Sequence, residues 1–141
     1  YDDPANQFVA GFIGSPKMNF LSATVTEIGA DSVTIALVNQ GNVPLRMPVA
    51  GNGTKVGDSV TLGVRPEHFG DAGQCDVDLT MAVDVAEHLG STSYIYANTT
   101  SNEQIIIERE ESRSEIDMNQ VTVSIPAQKA FLFDQNGVRL R

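Results

Sequence analysis

Two histidines and one cysteine are the residues of this chain whose side chains could bind a transition metal. They are His68, Cys75 and His88. Imidazole nitrogens and thiolates are common zinc ligands, but the spacing of these three residues matches no usual zinc motif. We therefore predict no metal site and expect these side chains to take hydrogen-bonding or surface roles.

Arg65 and Glu67 form a second group with potential chemistry, because they directly follow an apolar stretch that has the pattern of a strand. Charges at that place are expected to emerge at the rim of a β-barrel. The favoured interpretation is an intramolecular ion pair that fixes a junction between lobes. The alternative is contact with a partner, in which the guanidinium binds a carboxylate through two hydrogen bonds. Both residues are kept as candidate interface residues.

Ser91, Thr92 and Ser93 supply three consecutive hydroxyl groups. Oxyanion sites use converging hydroxyls and backbone amides, so a small-ligand sensor is one open hypothesis. By contrast, the sequence contains no phosphate-binding loop of the form GxxxxGK(S/T) and no nucleophile elbow. We therefore predict that this chain is not an enzyme and that it contains neither catalytic residues nor a cofactor site.

Composition limits the class of protein. With 141 residues the chain is long enough for one domain that buries its own core. Its net charge of −9 argues against nucleic acid as a partner, since phosphate contacts need clustered Lys and Arg. The same charge argues against direct adhesion to an anionic membrane. No apolar run approaches the roughly 18 residues that span a bilayer, and the single cysteine cannot form an internal disulfide.

Alternating polar and apolar residues predict that most of the chain forms short β-strands. The clearest pattern places five apolar residues at every second position: Val77, Leu79, Met81, Val83 and Val85. Further strands are expected at residues 33–37, 60–64, 93–97, 104–108, 121–125 and 131–140. Residues 108–117, which are rich in acids, are most simply a solvated connection. We therefore predict an all-β, OB-fold-like small barrel, and a second small β lobe after Gly70 is left open.

The strand predicted near residue 131 is apolar on both of its faces. Phe131 and Phe133 lie on one side, and Leu132 lies on the other. Only one side can face the core of a small barrel. The second side is therefore either additional core or a surface that packs on a second lobe or a partner chain.

A different pattern precedes the first strand. Residues 1–14 favour a short helix, in which Pro4 suits the first turn and apolar residues recur four positions apart. Pro16 ends the helix, because it has no amide hydrogen and pushes Ser15 out of the helical region. We expect this helix to pack on another domain, and residues 15–141 to form the β domain.

The sequence YDDPANQFVAGFIGSPKMNF at residues 1–20 resembles a seam in a known family. In ATP-binding subunits of bacterial ABC sugar importers, of the maltose and glycerol-3-phosphate type, a similar stretch joins the nucleotide-binding domain to a C-terminal regulatory domain. Three later segments resemble the same family in order and spacing: GVRPEH at 63–68, EHLG at 87–90 and FLFD at 131–134. Together these segments extend the resemblance over nearly all of the chain.

The resemblance implies a regulatory domain of the OB-fold-like MOP/TOBE type at residues 15–141, with residues 1–14 belonging to the nucleotide-binding domain. ATP and magnesium would bind in that domain, which the printed sequence does not contain. Regulatory domains of this type pair across the two-fold axis of the ATPase dimer, so Glu87 and Phe133 become the leading candidates for the contact. The implied interdomain joint comprises Phe12, Gly14, Ser15, Pro16, Met18 and Asn19.

The resemblance also implies partners and a location. The expected partners are a second copy of the chain, the nucleotide-binding domain of the parent protein, the membrane subunits indirectly, and a regulatory protein. The expected location is the cytoplasmic face of the inner membrane, reached through the transporter complex. An interaction module that supports ATP-driven import is therefore favoured. The alternative is an oxyanion sensor, because similar barrels in molybdate systems bind oxyanions between lobes.

Overall fold

The computed structural model describes residues 18–38, 40–51, 53–99, 103–110 and 119–140. The predicted helix at residues 1–14 lies outside these ranges, as do four residues of the predicted joint: Phe12, Gly14, Ser15 and Pro16. Met18 and Asn19 of the joint lie inside them. None of the helical turns in the described ranges has the length or apolar character needed to cross a membrane.

The regular secondary structure of the described part of the chain is almost entirely β-strand, which confirms the all-β class. The strands are β1 (Asn19–Ile28), β2 (Val33–Leu37), β3 (Val43–Met47), β4 (Ser59–Val64), β5 (Gly70–Asp71), β6 (Val77–Leu89), β7 (Thr92–Asn98), β8 (Gln104–Glu110), β9 (Gln120–Ile125), β10 (Phe131–Phe133) and β11 (Arg139–Leu140). A short 3-10 turn, Pro66–His68, follows β4.

The strands form two antiparallel sheets. The first has the order β11-β10-β4-β1-β2-β3, and the second has the order β5-β9-β6-β7-β8. The second sheet begins at Gly70, where the sequence left a second lobe open. It is inserted between β4 and β10, so the chain leaves the first sheet and then returns to it. This double crossing ties the two sheets together at both ends of the insertion.

One hydrophobic core is shared by the two sheets, since buried side chains from both pack in a single cluster. Leu21, Ile35, Leu37, Met47 and Leu62 are fully buried on the first sheet, and Leu79, Ile95, Ile105, Ile107 and Ile125 are fully buried on the second. Burial of each such side chain contributes roughly 1.5–3 kcal/mol. The alternating pattern of the sequence therefore gives each sheet one apolar face, and the two faces meet.

Strand β6 follows the predicted alternation only at its start. Val77, Leu79 and Met81 are buried as expected. The register with β7 then shifts between Val83 and Val85, so that Asp84 is an additional residue on the β6 side. Such a β-bulge reverses which face the following residues occupy. As a result Val85 is 48% exposed, and the prediction that it lies on the buried face is wrong.

Met18, Phe131 and Phe133 form a second, smaller buried cluster on the opposite face of the first sheet, with Phe20 packed against it. Phe20 and Phe131 both lie in register with Gly63 of β4, one on each side. A β-carbon added at Gly63 would lie 2.5 Å from the Met18 sulfur and 2.9 Å from the Phe133 ring. The absence of a side chain at this position thus allows the cluster to pack directly on the β4 backbone.

Candidate functional site

Arg65 and Glu67, the predicted rim charges, occupy different environments. Arg65 precedes the 3-10 turn, and Pro66 occupies its first position. The turn packs against β8, and the Arg65 side chain is only 1% exposed. A side chain needs exposed surface to contact a partner, so the expectation that Arg65 emerges at the rim is wrong, and so is the alternative that it contacts a partner. Glu67 is exposed and stays a candidate.

Phe133 was a leading candidate for the self-contact, and the structure contradicts that role. Its exposed fraction is 0%. The two-faced character of β10 is confirmed, because Leu132 faces the main core while Phe131 and Phe133 face the second cluster. Phe20 closes over Phe133 in an edge-to-face arrangement, with ring centroids 6.1 Å apart. The chain therefore covers this second apolar face itself, which the strand pattern alone does not reveal.

Glu87 lies on the outward face of the second sheet, next to two tyrosines. Glu87 of β6 pairs with Tyr94 of β7, and Tyr94 in turn pairs with Glu108 of β8. Burial, the charge of Glu108 and a hydrogen bond to that carboxylate raise the pKa of the Tyr94 phenol. Burial, the charge of Glu87 and a hydrogen bond to the Glu87 carboxylate raise the pKa of the Tyr96 phenol. Both phenols therefore remain protonated and donate hydrogen bonds at neutral pH. We call Glu87, Tyr94, Tyr96 and Glu108 the acid–tyrosine face.

Two large apolar side chains are exposed beside this face. Val85 is 48% exposed and Leu89 is 56% exposed, and both flank Glu87 on β6. The bulge at Asp84 is what turns them outward. Residues two apart on a strand share a face, so Val85, Glu87 and Leu89 lie in one row on the outward face of β6. Glu87 as an interface residue stays a prediction, and its surroundings now include these two side chains.

Asn19 makes a connection between the sheets that sequence reasoning missed. Its side-chain amide donates to the Ile106 carbonyl oxygen at 2.8 Å and accepts from the Ile106 amide at 2.8 Å. The side chain thereby satisfies both backbone groups of one residue on the edge strand β8. Arg109 of the same strand donates to the carbonyl oxygens of Phe69 and Gly70, at 2.7 and 2.9 Å. These contacts join segments far apart in sequence, so no local pattern signals them.

The residues considered for metal and oxyanion binding do not converge. Across the described ranges, no group of three His, Cys, Asp or Glu side chains is placed to hold a metal ion. The Ser93 hydroxyl is buried and lies 2.9 Å from Nδ1 of His88. Thr92 occupies the opposite face of β7, because adjacent residues of a strand alternate. The hydroxyls of residues 91–93 therefore do not point to one ligand position.

Two domain families match this sequence, and each match covers one part of the fold. The MalK OB fold domain matches residues 14–69, which include β1–β4, and the TOBE domain matches residues 62–133, which include the whole second sheet. The second match covers just over half of the 141 residues. The chain belongs to the TOBE domain family. Its OB-fold-like class, expected from the sequence, is confirmed.

The TOBE chain is similar to ATP-binding proteins of sugar importers. It is 52% identical over 143 residues to the lactose transport ATP-binding protein LacK of Rhizobium radiobacter, covering 100% of this chain and 39% of that protein. It is 37% identical over 138 residues to the maltose/maltodextrin import ATP-binding protein MalK of Vibrio vulnificus, covering 97% of this chain and 37% of that protein. The chain thus spans well under half the length of these relatives.

A solved structure shares the fold of this TOBE chain. The cytoplasmic molybdate-binding protein ModG superposes with a TM-score of 0.60, covering 81% of this chain and 94% of that one. The two are 17% identical in sequence, so the likeness concerns the fold alone. It carries no ligand from that protein over to this chain.

Proposed function

We propose that this TOBE chain is the regulatory domain of the ATP-binding subunit of an ABC importer for sugars or related solutes. The observation that supports this most strongly is the 52% identity to LacK along the entire chain. In this proposal the domain acts by binding free energy and geometry alone. It holds two ATP-binding subunits together while a separate nucleotide-binding domain, which carries ATP and magnesium, performs hydrolysis.

The proposed partners follow from the same relationship. They are a second copy of the chain, the nucleotide-binding domain of the parent protein, and indirectly the membrane subunits of the importer. A regulatory protein is a further proposed partner. Met18 and Asn19, where β1 begins, are the two described residues of the proposed joint with the nucleotide-binding domain. The location proposed for the assembled protein is the cytoplasmic face of the inner membrane.

The proposed self-contact centres on the acid–tyrosine face and the apolar residues beside it. Val85 and Leu89 offer exposed apolar area, and Glu87 lies between them. An isologous contact would place the carboxylates of two copies near one another, and each copy carries a net charge of −9. Electrostatic repulsion therefore opposes the contact at low salt, and screening relieves it. We expect a symmetric, weak dimer that becomes stronger as salt is added.

Sedimentation equilibrium tests this self-contact. Replacing Val85 and Leu89 together by serine is expected to raise the dimer dissociation constant by about tenfold or more, because central apolar contacts dominate interfaces. Val56→Ser is the matched control, since Val56 is 63% exposed in the loop before β4. It should leave the dissociation constant unchanged. Equal effects of the two variants, or weakening of the dimer by salt, would contradict the proposed surface.

The chain alone is expected neither to bind nor to hydrolyse ATP. A phosphate site needs a glycine-rich loop whose amides surround the phosphates, and the sequence has no such motif. Equilibrium dialysis with ATP and a coupled phosphate-release assay would measure both properties. A protein with the adjoining nucleotide-binding domain serves as the positive control. Turnover that co-purifies with the chain after contaminating ATPases are removed would overturn the assignment as a non-catalytic domain.

A further inference from the structure

A polar cleft of about 590 Å³ lies between the two sheets and shares no residue with the acid–tyrosine face. One wall comes from the first sheet, at the turn before β2 and the end of β3. The other wall comes from the loops that precede β6 and follow β9 in the second sheet. Binding pockets for small molecules have volumes of roughly 300–1,000 Å³. The cleft is thus large enough for a small organic molecule that touches both sheets.

The backbone of both walls is held by internal hydrogen bonds. On the first sheet, the Gly29 amide donates to the Ser32 carbonyl oxygen at 2.8 Å. On the second sheet, the Asp76 amide donates to the Ile125 carbonyl oxygen at 3.1 Å. The Ala127 amide donates to the Asp76 carboxylate at 2.8 Å. The shape of the cleft is therefore set by the fold, which lowers the cost of ordering a site around a ligand.

Several exposed side chains that line the cleft make no hydrogen bond to other described residues, so their donors and acceptors face solvent and are open to a ligand. Within the ranges that the structure describes, the side chains of Arg46, Gln74 and Gln128 make no hydrogen bond or ion pair. A guanidinium offers five N–H donors, and each carboxamide offers two donors and an acceptor. Asp31 and Asp76 add carboxylate acceptors to the same lining. Donors and acceptors are thus both present around one space.

The charges of the lining decide which ligand class fits. Asp31 and Asp76 disfavour an anion such as phosphate, whereas Arg46 disfavours a cation. A neutral molecule rich in hydroxyl groups suits both kinds of charge, because each hydroxyl donates to a carboxylate and accepts from a guanidinium or amide. Pro48 and Pro126 supply rigid apolar surfaces against which C–H groups can pack. We infer that this cleft binds a neutral polyhydroxylated molecule of about disaccharide size.

Amide chemical-shift mapping of the whole chain by NMR tests the inference, with maltose and lactose as the neutral probes. Up to about 10 mM sugar, a range that detects millimolar affinity, we expect saturable shifts confined to the cleft segments 31–32, 46–48, 74–76 and 126–128. Arg46→Ala is expected to weaken binding about tenfold, the loss of one charged hydrogen bond. Lys55→Ala removes an exposed cation elsewhere and should leave the affinity unchanged.

Inorganic phosphate and putrescine, titrated in the same way, serve as the anionic and cationic probes. We expect neither to shift the cleft amides in a saturable manner. Absence of saturable shifts with both sugars, equal affinity of wild type and Arg46→Ala, or saturation by either charged probe would overturn the inference. Arg46 is exposed on β3, so its replacement is expected to preserve the fold, which circular dichroism verifies. The NMR result is independent of the sedimentation result, so the proposed ligand of the cleft and the proposed self-contact are tested separately.

Discussion

Replacing Phe133 with alanine is expected to lower the free energy of unfolding by about 3–5 kcal/mol, the usual cost of removing a buried phenylalanine side chain. Phe133 is 0% exposed and packs on Phe20 and directly against Gly63. The strand backbone beneath the ring cannot move into the space, so a cavity remains. Urea unfolding followed by circular dichroism measures the loss as a lower midpoint with an unchanged slope.

Val138→Ala is the matched control for this experiment. Val138 lies in the adjoining turn between β10 and β11 and is 52% exposed. Its replacement should change the free energy of unfolding by less than about 0.5 kcal/mol. A Phe133→Ala protein with wild-type stability but weaker self-association would contradict the core position of Phe133 and restore it as a contact residue.

Asn19→Ala is expected to lower the free energy of unfolding by about 2–4 kcal/mol, because a buried donor and a buried acceptor each lose a partner. Both hydrogen bonds go to Ile106, and Asn19 itself is 5% exposed. Thermal unfolding by calorimetry measures the loss. Amide exchange adds a specific signature, since the Ile106 amide should exchange faster in the variant at temperatures where the fold persists.

Asn98→Ala provides the control for Asn19→Ala. Asn98 is a half-buried asparagine at the end of β7, and its replacement is expected to cost less than about 0.5 kcal/mol. If Asn19→Ala and Asn98→Ala were equally stable, the hydrogen bonds of the Asn19 amide would not stabilise the contact between β1 and β8. The packing of the shared core and the hydrogen bond from the Ser22 amide of β1 to the Glu103 carboxylate beside β8 would then be the connections to consider.

Period-two alternation predicted most of the strands correctly. Residues 77–81 of β6 and residues 93–97 of β7 show it clearly, because one face is buried in the core and the other is exposed. The same pattern leaves open whether a second lobe follows Gly70, and the structure shows a complete second sheet there. Binary patterning shows which face of a strand is apolar, and in this fold that information locates most of the strands.

Features that depend on long-range contact escaped the pattern. The bulge at Asp84 inserts one residue without any change in residue type, so Val85 was assigned to the wrong face. Arg65 appeared to be a rim charge because its burial depends on β8, which lies some forty residues later in the sequence. Asn19 and Ile106 are 87 residues apart. Such pairings are set by the tertiary fold, and local sequence carries no trace of them.

The candidate site was predictable in part. The motif at Glu87 points to the second sheet, and Glu87 is exposed there. For Phe133 the sequence allows either a core position or a contact surface, and the structure supports the core position. Tyr94 and Tyr96 were not singled out, because a tyrosine in a strand has no distinctive spacing. Their hydrogen bonds to Glu108 and Glu87 appear only when strand pairing brings these carboxylates to their hydroxyls.

The coding sequence upstream of Tyr1 tests the central claim most directly. If this TOBE chain is the regulatory domain of an ATP-binding subunit, the same reading frame should continue upstream into a nucleotide-binding domain with a GxxxxGK(S/T) loop. Sequencing the gene and measuring the mass of the native protein would establish this together. An initiating methionine immediately before Tyr1, with a native mass near 15.1 kDa, would contradict the account.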